Sequence, residues 1–363
     1  MNYGRIGDEM TATCLELIIL YCLKKINGER TIYSIYHLLK GKKSSQTIQD
    51  THLFQLYPFF QAFPSITRIE IEEMVRKFEK EGWIEKKNDQ YFFLTEKGRD
   101  MLDEELHRKP FPEFLNGWKY HNVTELFWER LSLFVQVCSN LINRKPDYVP
   151  VQKKKETLYW LKNFIAKQEK DRFLLAEQLY NELTAYFEAY HQIEPAILVI
   201  RFTGYNRIGL TEHQAAEKLG MEHTYYRVSF LNLLHYMIET ITKSPARFPL
   251  LHSLIQKAGK FIPLTNSAKK TYELLNTGMP LERIAQVRNL KRSTIEDHIV
   301  EIALNMKDFD ISPYVDRSKQ TNIIKAAEKV SSKQLKHIRT QAGNASYFEI
   351  RLVLAKYGDQ KCN

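Results

Sequence analysis

The stretch LERIAQVRNLKRSTIEDHIVEIA, residues 281–303, constrains the fold more than any other part of the chain. Apolar residues recur at helical spacing on both sides of a polar break: Leu281, Ile284 and Ala285 before it, Ile295, Ile299 and Ile302 after it. Two short amphipathic helices around a tight turn give a helix-turn-helix, whose second helix has the shape that enters a DNA groove. Pro280 suits the first helical position, and Leu290 plugs the turn. Ser293-Thr294-Ile295-Glu296 has the spacing of a capping box, serine oxygen to an orphan amide and glutamate back to the serine amide. The outward face of the second helix then reads Thr294, Asp297, His298 and Glu301. Two of those four are acids. They are able to accept from cytosine amino groups but lack the attraction to phosphate that dominates affinity. Lys291 and Arg292 at the helix entry, with Lys269 and Lys270 on the helix before, must therefore hold the backbone. That earlier helix is capped by Asn266 or Ser267, buries Ala268, Tyr272 and Leu275, and ends at Gly278.

Similar patterning extends over the rest of the chain and predicts a mainly α protein with one small β-hairpin. Residues 1–108 read as a winged helix. Helices run over about Thr13–Ile26, from Thr31 with Ile32, Ile35, Leu38 and Leu39 inward, and over Arg68–Glu81 with Ile71, Val75 and Phe78 inward. GKKSSQT reads as a polar loop, WIEKKNDQYFFL as two strands around Asn88-Asp89, and Thr95 as the cap of a closing helix. The helix over Arg68–Glu81 carries Glu70, Glu72, Glu73, Glu79 and Glu81, which favours a protein-docking winged helix over a DNA-binding one.

Residues 109–260 form a second helical domain. It holds a basic loop over 144–155 and another helix-turn-helix pattern around Gly220, with Thr211 as a cap. Glu194-Pro195 starts one helix, and His223-Thr224 opens another that buries Val228, Leu231, Leu234 and Ile238. Tyr225, Tyr226 and Arg227 at the start of that last helix are placed either to touch phosphates or bases or to fill a domain contact. Residues 261–363 form the third domain. Its tail reads as small helices with Ile323, Ile324, Ala327 and Val330 on one stripe and Leu335 and Ile338 on another, surrounded by Lys333, Lys336, His337 and Arg339. Such a patch is either a solvated face or, beside a helix-turn-helix, a phosphate-binding one.

Charge and composition narrow the function classes. The 363 residues are 44% apolar and hold 26 Pro plus Gly, enough core and few enough breakers for two or three folded domains. Net charge is +10, unevenly spread. Residues 1–105 carry 15 Lys/Arg against 17 Asp/Glu, 106–260 carry 21 against 15, 261–310 carry 7 against 7, and 311–363 carry 10 against 4. The helix-turn-helix is neutral and the tail behind it basic, a distribution that allows a polyanion partner. Cys14, Cys22, Cys138 and Cys362 are isolated, without zinc spacing to any histidine, which fits free thiols in a cytoplasmic protein. The apolar run 11–23 is interrupted by Glu16 and too short to span a bilayer, so it reads as a buried first helix and no membrane partner is expected. No cofactor, metal or catalytic motif is expected: the chain has no H-E-x-x-H, G-x-S-x-G or G-x-G-x-x-G. GKKSSQ lacks the upstream glycine of a phosphate loop, and Asp147 and Glu156 beside Lys153–Lys155 lie in a linker-like loop.

The run SAKKTYELLNTGMPLERIAQVRNLKRSTIEDHIVEIA, followed by LKHIRTQAGNASYFEIRLVLAKYG, resembles the helix-turn-helix module at the C-terminal end of some RecQ-type DNA helicases. It also resembles the YpbB-type helix-turn-helix proteins of Gram-positive bacteria, and the likeness extends through the middle domain to the N-terminal apolar helix. The resemblance implies a companion of a DNA-unwinding enzyme, because genes of this family commonly lie beside one for a RecQ-type helicase. The expectation is a non-enzymatic DNA-binding accessory protein in repair or recombination; the alternative is a sequence-specific transcriptional regulator.

Overall fold

The computed structural model describes residues 12–168, 171–255, 264–330 and 333–358. In its N-terminal part the helices are α1 (Cys14–Ile26), α2 (Ile32–Lys40), α3 (Ser45–Leu53) and α4 (Arg68–Lys80). The antiparallel hairpin β1 (Ile84–Asn88) and β2 (Tyr91–Leu94) follows, then α5 (Glu96–Arg108). The middle part holds α6 (Gly117–Tyr120), α7 (Thr124–Ile142), α8 (Lys155–Ala166), α9 (Arg172–Ala189), α10 (Ala196–Val199), α11 (Glu212–Lys218), α12 (His223–Lys243) and α13 (Pro249–Ile255). The C-terminal part holds α14 (Asn266–Leu275), α15 (Leu281–Val287), α16 (Arg292–Asn305), α17 (Arg317–Lys329), α18 (Leu335–Gln341) and α19 (Tyr347–Tyr357). The mainly α architecture with one two-stranded sheet follows the sequence reading. None of the helices is long and apolar enough to cross a membrane, among the described residues.

These elements form two compact units. One comprises Met1–Leu17 with Glu105–Phe261, the other Ile18–Glu104 with Ile262–Asn363. The segments read separately as residues 1–108 and 261–363 thus pack largely as one body, with the middle segment as an insertion between them.

In the unit of Ile18–Glu104 with Ile262–Asn363, the hairpin pairs Ile84 with Leu94, so Ile84, Phe92 and Leu94 face inward with alternating neighbours outward. Gln90, at the tip with φ +68°, accepts from the Ile32 amide and so satisfies a helix-start donor of α2. Thr95 caps α5, its Oγ1 accepting from Gly98 N at 3.1 Å. Gly98 lies against the chain: a Cβ there would sit 2.0 Å from the Trp83 carbonyl oxygen.

The segment GKKSSQT is not a loop throughout. Ser44 is the N-cap of α3, its oxygen accepting from Thr47 N. This helix escapes a periodicity search because it buries polar side chains: Thr47, Gln49, Asp50 and Thr51 are buried beside Ile48. Polar groups are tolerated inside only when bonded, and these are. Arg30 Nε donates to both Asp50 oxygens at 3.0 and 3.1 Å, and Thr51 Oγ1 donates to Thr47 O at 2.7 Å.

The unit of Met1–Leu17 with Glu105–Phe261 is built on α7, which packs against α8, α9, α12 and α13. Phe127, Leu131 and Phe134 on α7 meet Leu175 and Leu179 of α9 and Leu233, Leu234 and Met237 of α12 in one core. Glu182, inward on α9, accepts from the Leu250 and Leu251 amides at 3.0 Å each. A buried carboxylate placed there answers two of the unpaired donors at the start of α13.

Candidate nucleic-acid interface

Helices α15 and α16 form the helix-turn-helix expected over residues 281–303, with α14 packed against both. Ile284, Ile295, Ile299 and Ile302 are completely buried, as their spacing predicts. Each contributes roughly 2–3 kcal/mol through burial, which is ample to hold a three-helix unit. Asn289, at φ +49°, takes the left-handed position of the turn, and Leu290 N returns to Ala285 O at 2.9 Å.

Three local expectations are corrected. Thr265, not Asn266 or Ser267, caps α14, its oxygen accepting from Ala268 N at 3.2 Å. Of the residues expected inside α14, Ala268 is buried while Tyr272 and Leu275 are partly exposed, and Thr271 takes a buried place. The capping box at Ser293 does not form, because α16 starts two residues earlier, with Lys291 at the cap position. Glu296 instead accepts from Arg292 Nε at 3.0 Å, and Arg292 also donates to Glu282 at 2.9 Å. A guanidinium four residues away is a stronger partner for the carboxylate than a serine amide.

The larger correction concerns the outward face of α16. His298 and Glu301 are buried, and so is every residue from His298 to Ala303. Six consecutive residues sweep round more than one full helical turn, so that stretch has no solvent face. The reason is that α16 has neighbours on all sides: α14 and α15, as expected, and in addition α3 and α19. Thr271 Oγ1 is bonded to His298 Nδ1 at 2.9 Å, and Arg288 reaches Ser267 O at 2.8 Å and also Thr271. Burial, helped by the Arg288 charge, pushes the His298 imidazole down to about 4, so it is neutral at pH 7. Glu301 accepts from both the amide and the hydroxyl of Thr265, and burial pushes its carboxyl up to about 7. Asp297 accepts from Arg351 Nη1 at 2.6 Å, and Arg351 Nε donates to Gln49 on α3 at 2.8 Å. Arg351 thus clamps α19 to α16 and α3. Neither it nor Arg288 was singled out in the sequence. The one signal for them is that buried Thr271 and His298 and half-buried Asp297 need partners, and burial is not visible before packing is known.

The other candidate residues divide in two. Lys270, Lys291, Arg292, Lys336, His337 and Arg339 are exposed, Lys269 and Thr294 partly so. Arg339 lies over the Tyr347 ring at 4.7 Å. Lys333 is drawn inward: its Nζ donates to Leu53 O at 2.7 Å and lies over Phe54, while its amide donates to Glu29. A backbone carbonyl and a ring face satisfy that ammonium, so Lys333 is not available to phosphate.

Tyr225, Tyr226 and Arg227 also have internal work, which resolves their two readings toward packing. Tyr226 is fully buried, its hydroxyl donating to Ile197 O at 2.7 Å. Arg227 pairs with Glu212 at 3.1 Å, and Lys109 lies 3.6 Å over the Tyr225 ring. The start of α12 is moreover occupied by the start of α1: Cys14 N donates to Glu222 and Leu15 N to Thr224. Cys14, Cys22 and Cys138 are buried free thiols, and burial pushes Cys14 and Cys138 up to about 12, far from reactive. Cys362 lies outside the described residues. No group of three or more His, Cys, Asp or Glu comes together to hold a metal ion among the described residues.

Residues 267–354 match the family described as a helix-turn-helix domain, which spans α14 to α19. Over 97% of its length the chain is 34% identical to Protein YpbB of Bacillus subtilis (strain 168), of which the alignment covers 99%. The chain belongs to the YpbB family. No solved structure matches it. In this YpbB-family chain the helix-turn-helix domain points to DNA binding, and what remains open on α16 is its first turn, Lys291 to Thr294.

Proposed function

We propose that the protein is a non-enzymatic accessory factor that holds DNA by its phosphates and works beside a RecQ-type helicase in repair or recombination. One observation carries the DNA part of this reading. From His298 to Ala303 α16 is buried on every side, while Lys291 at its entry and Lys269 and Lys270 on α14 stay at the surface. Cations at a helix entry grip phosphate without reading sequence. A helix open mainly over its first turn has few side chains to offer to base edges, which disfavours the transcriptional-regulator alternative. The helicase partnership rests on the resemblance of the runs 267–303 and 335–358 to the module at the C-terminal end of some such enzymes.

Fluorescence anisotropy with two unrelated duplexes tests the contact. Wild type is expected to bind both alike, with affinity falling steeply in salt. The triple variant Lys270→Glu, Lys291→Glu, Lys336→Glu should lower the log–log salt slope by about 2.7, at roughly 0.9 per phosphate contact. An unchanged slope, or tight binding to one duplex only, would refute the reading. Affinity capture from the native host that recovers no helicase would remove the partner.

A further inference from the structure

We infer that the unit built on α7 carries a second nucleic-acid site, specific for single-stranded DNA, between the end of α7, the loop over 143–154, α8 and the start of α9. The inference rests on the DNA-binding reading above but uses different residues.

A cavity of about 480 Å³ opens there. Its floor is apolar, with Val137, Leu141 and Ile165, and its rim carries Arg144, Lys145, Lys162 and Arg172. All four cations are exposed, and among the described residues none has an ion-pair partner. The contrast with Lys154 nearby is informative: that lysine is held by Glu125 and Glu129 at 2.6 and 2.5 Å. Four exposed positive charges round an apolar hollow suit a ligand with an anionic backbone and a flat apolar part.

Two features make this a built site. The loop is pinned by Gln136, whose side chain donates to Val149 O at 3.0 Å and accepts from Val151 N at 2.7 Å. Arg144 has φ +54°, a left-handed position after α7 where glycine is favoured. A cation therefore stands where local geometry asks for the smallest residue.

The occupant follows from what flanks the rim. Tyr159 is 69% exposed and lies three residues before Lys162, hence on the same side of α8. Phe173, next to Arg172, is 46% exposed, and Tyr180, seven residues on, is 68% exposed on the same stripe of α9. Cations interleaved with exposed aromatics are the surface on which successive unpaired bases stack while the phosphates are held. In a duplex the base faces are already stacked, so only a single strand offers a base to the hollow.

The test uses the full chain and a labelled dT oligonucleotide of about 12 nucleotides. Four phosphate contacts give a log–log salt slope near −2.8, so binding should weaken roughly 50-fold between 50 and 200 mM salt. The variant Arg144→Gly, Lys145→Gln, Lys162→Gln, Arg172→Gln should lose that slope yet bind duplex as wild type does. Its Arg144→Gly change relieves backbone strain, and circular dichroism confirms folding. Tyr159→Ala, at an exposed position, should weaken the single strand about tenfold. The Lys270, Lys291, Lys336 variant should do the reverse, losing duplex and keeping the single strand. Wild-type single-strand affinity and slope in the quadruple variant overturn the site. So does poly-glutamate displacing dT as well as dT itself, or an RNA oligonucleotide binding more tightly than its DNA counterpart. Duplex binding without single-strand binding removes this inference alone; binding to neither removes both readings.

Discussion

Replacing Glu301 by Gln isolates a charge effect at the centre of the helix-turn-helix. Glu301 is 5% exposed, and its two oxygens accept from the Thr265 amide and hydroxyl. Burial raises its carboxyl from the usual 4.5 to about 7. The folded protein therefore binds this proton more tightly than the unfolded chain does. The stabilisation is complete below about pH 4.5 and is lost as pH rises through about 7. Two and a half units correspond to about 3 kcal/mol. Glutamine keeps the shape and one accepting oxygen but cannot ionise. Urea unfolding at pH 4.5, 6, 7 and 8, at constant ionic strength, gives the difference in stability between wild type and Glu301→Gln. Wild type should lose about 3 kcal/mol relative to the variant across that range. His298 shifts the opposite way, its contribution lost as pH falls through about 4, but it is present in both proteins and cancels in the difference. A difference that stays flat from pH 4.5 to 8 would refute the argument that this carboxyl is desolvated by its surroundings.

Two further outcomes follow from packing. Arg351→Ala removes charged bonds to Asp297 and Gln49 and should cost about 2 kcal/mol, lowering the unfolding midpoint of the unit that holds α16 by about 4–8 °C in calorimetry. Gly98→Ala drives a methyl group into the Trp83 carbonyl, a backbone atom that cannot swing away, and should cost about 3 kcal/mol in urea unfolding.

How much was legible beforehand depended on where each side chain drew its partners. The isoleucine stripe of α16, the stripe of α4 and the hairpin were readable because apolar period alone decides them. Thr211 and Thr95 were readable as caps because a cap is a bond over three residues. Helix α3 was not, because its buried residues are polar and their partner Arg30 lies twenty residues away. His298 and Glu301 were read as outward because their helix was expected to have two neighbours. With α3 and α19 also packed on it, the same positions turn inward. Lys333 and Arg292 were counted as cations for phosphate, and the structure engages both internally, one with a carbonyl and a ring, the other with two acids. Charge is visible in a sequence, whereas its neutralisation depends on tertiary neighbours.

The insertion of Glu105–Phe261 between the two halves of one unit has a consequence for synthesis. Helix α3 leaves the ribosome some 240 residues before the α16 surface it covers, which at ordinary elongation rates is on the order of 10–50 s. Throughout that interval its face has no native partner, while the intervening segment, which has its own core, is free to fold first. Late closure of the first-made half against the last-made one places the quality-control burden of this protein on the time between them, and makes a chain cut short before its C-terminal helices a conspicuous client for chaperones.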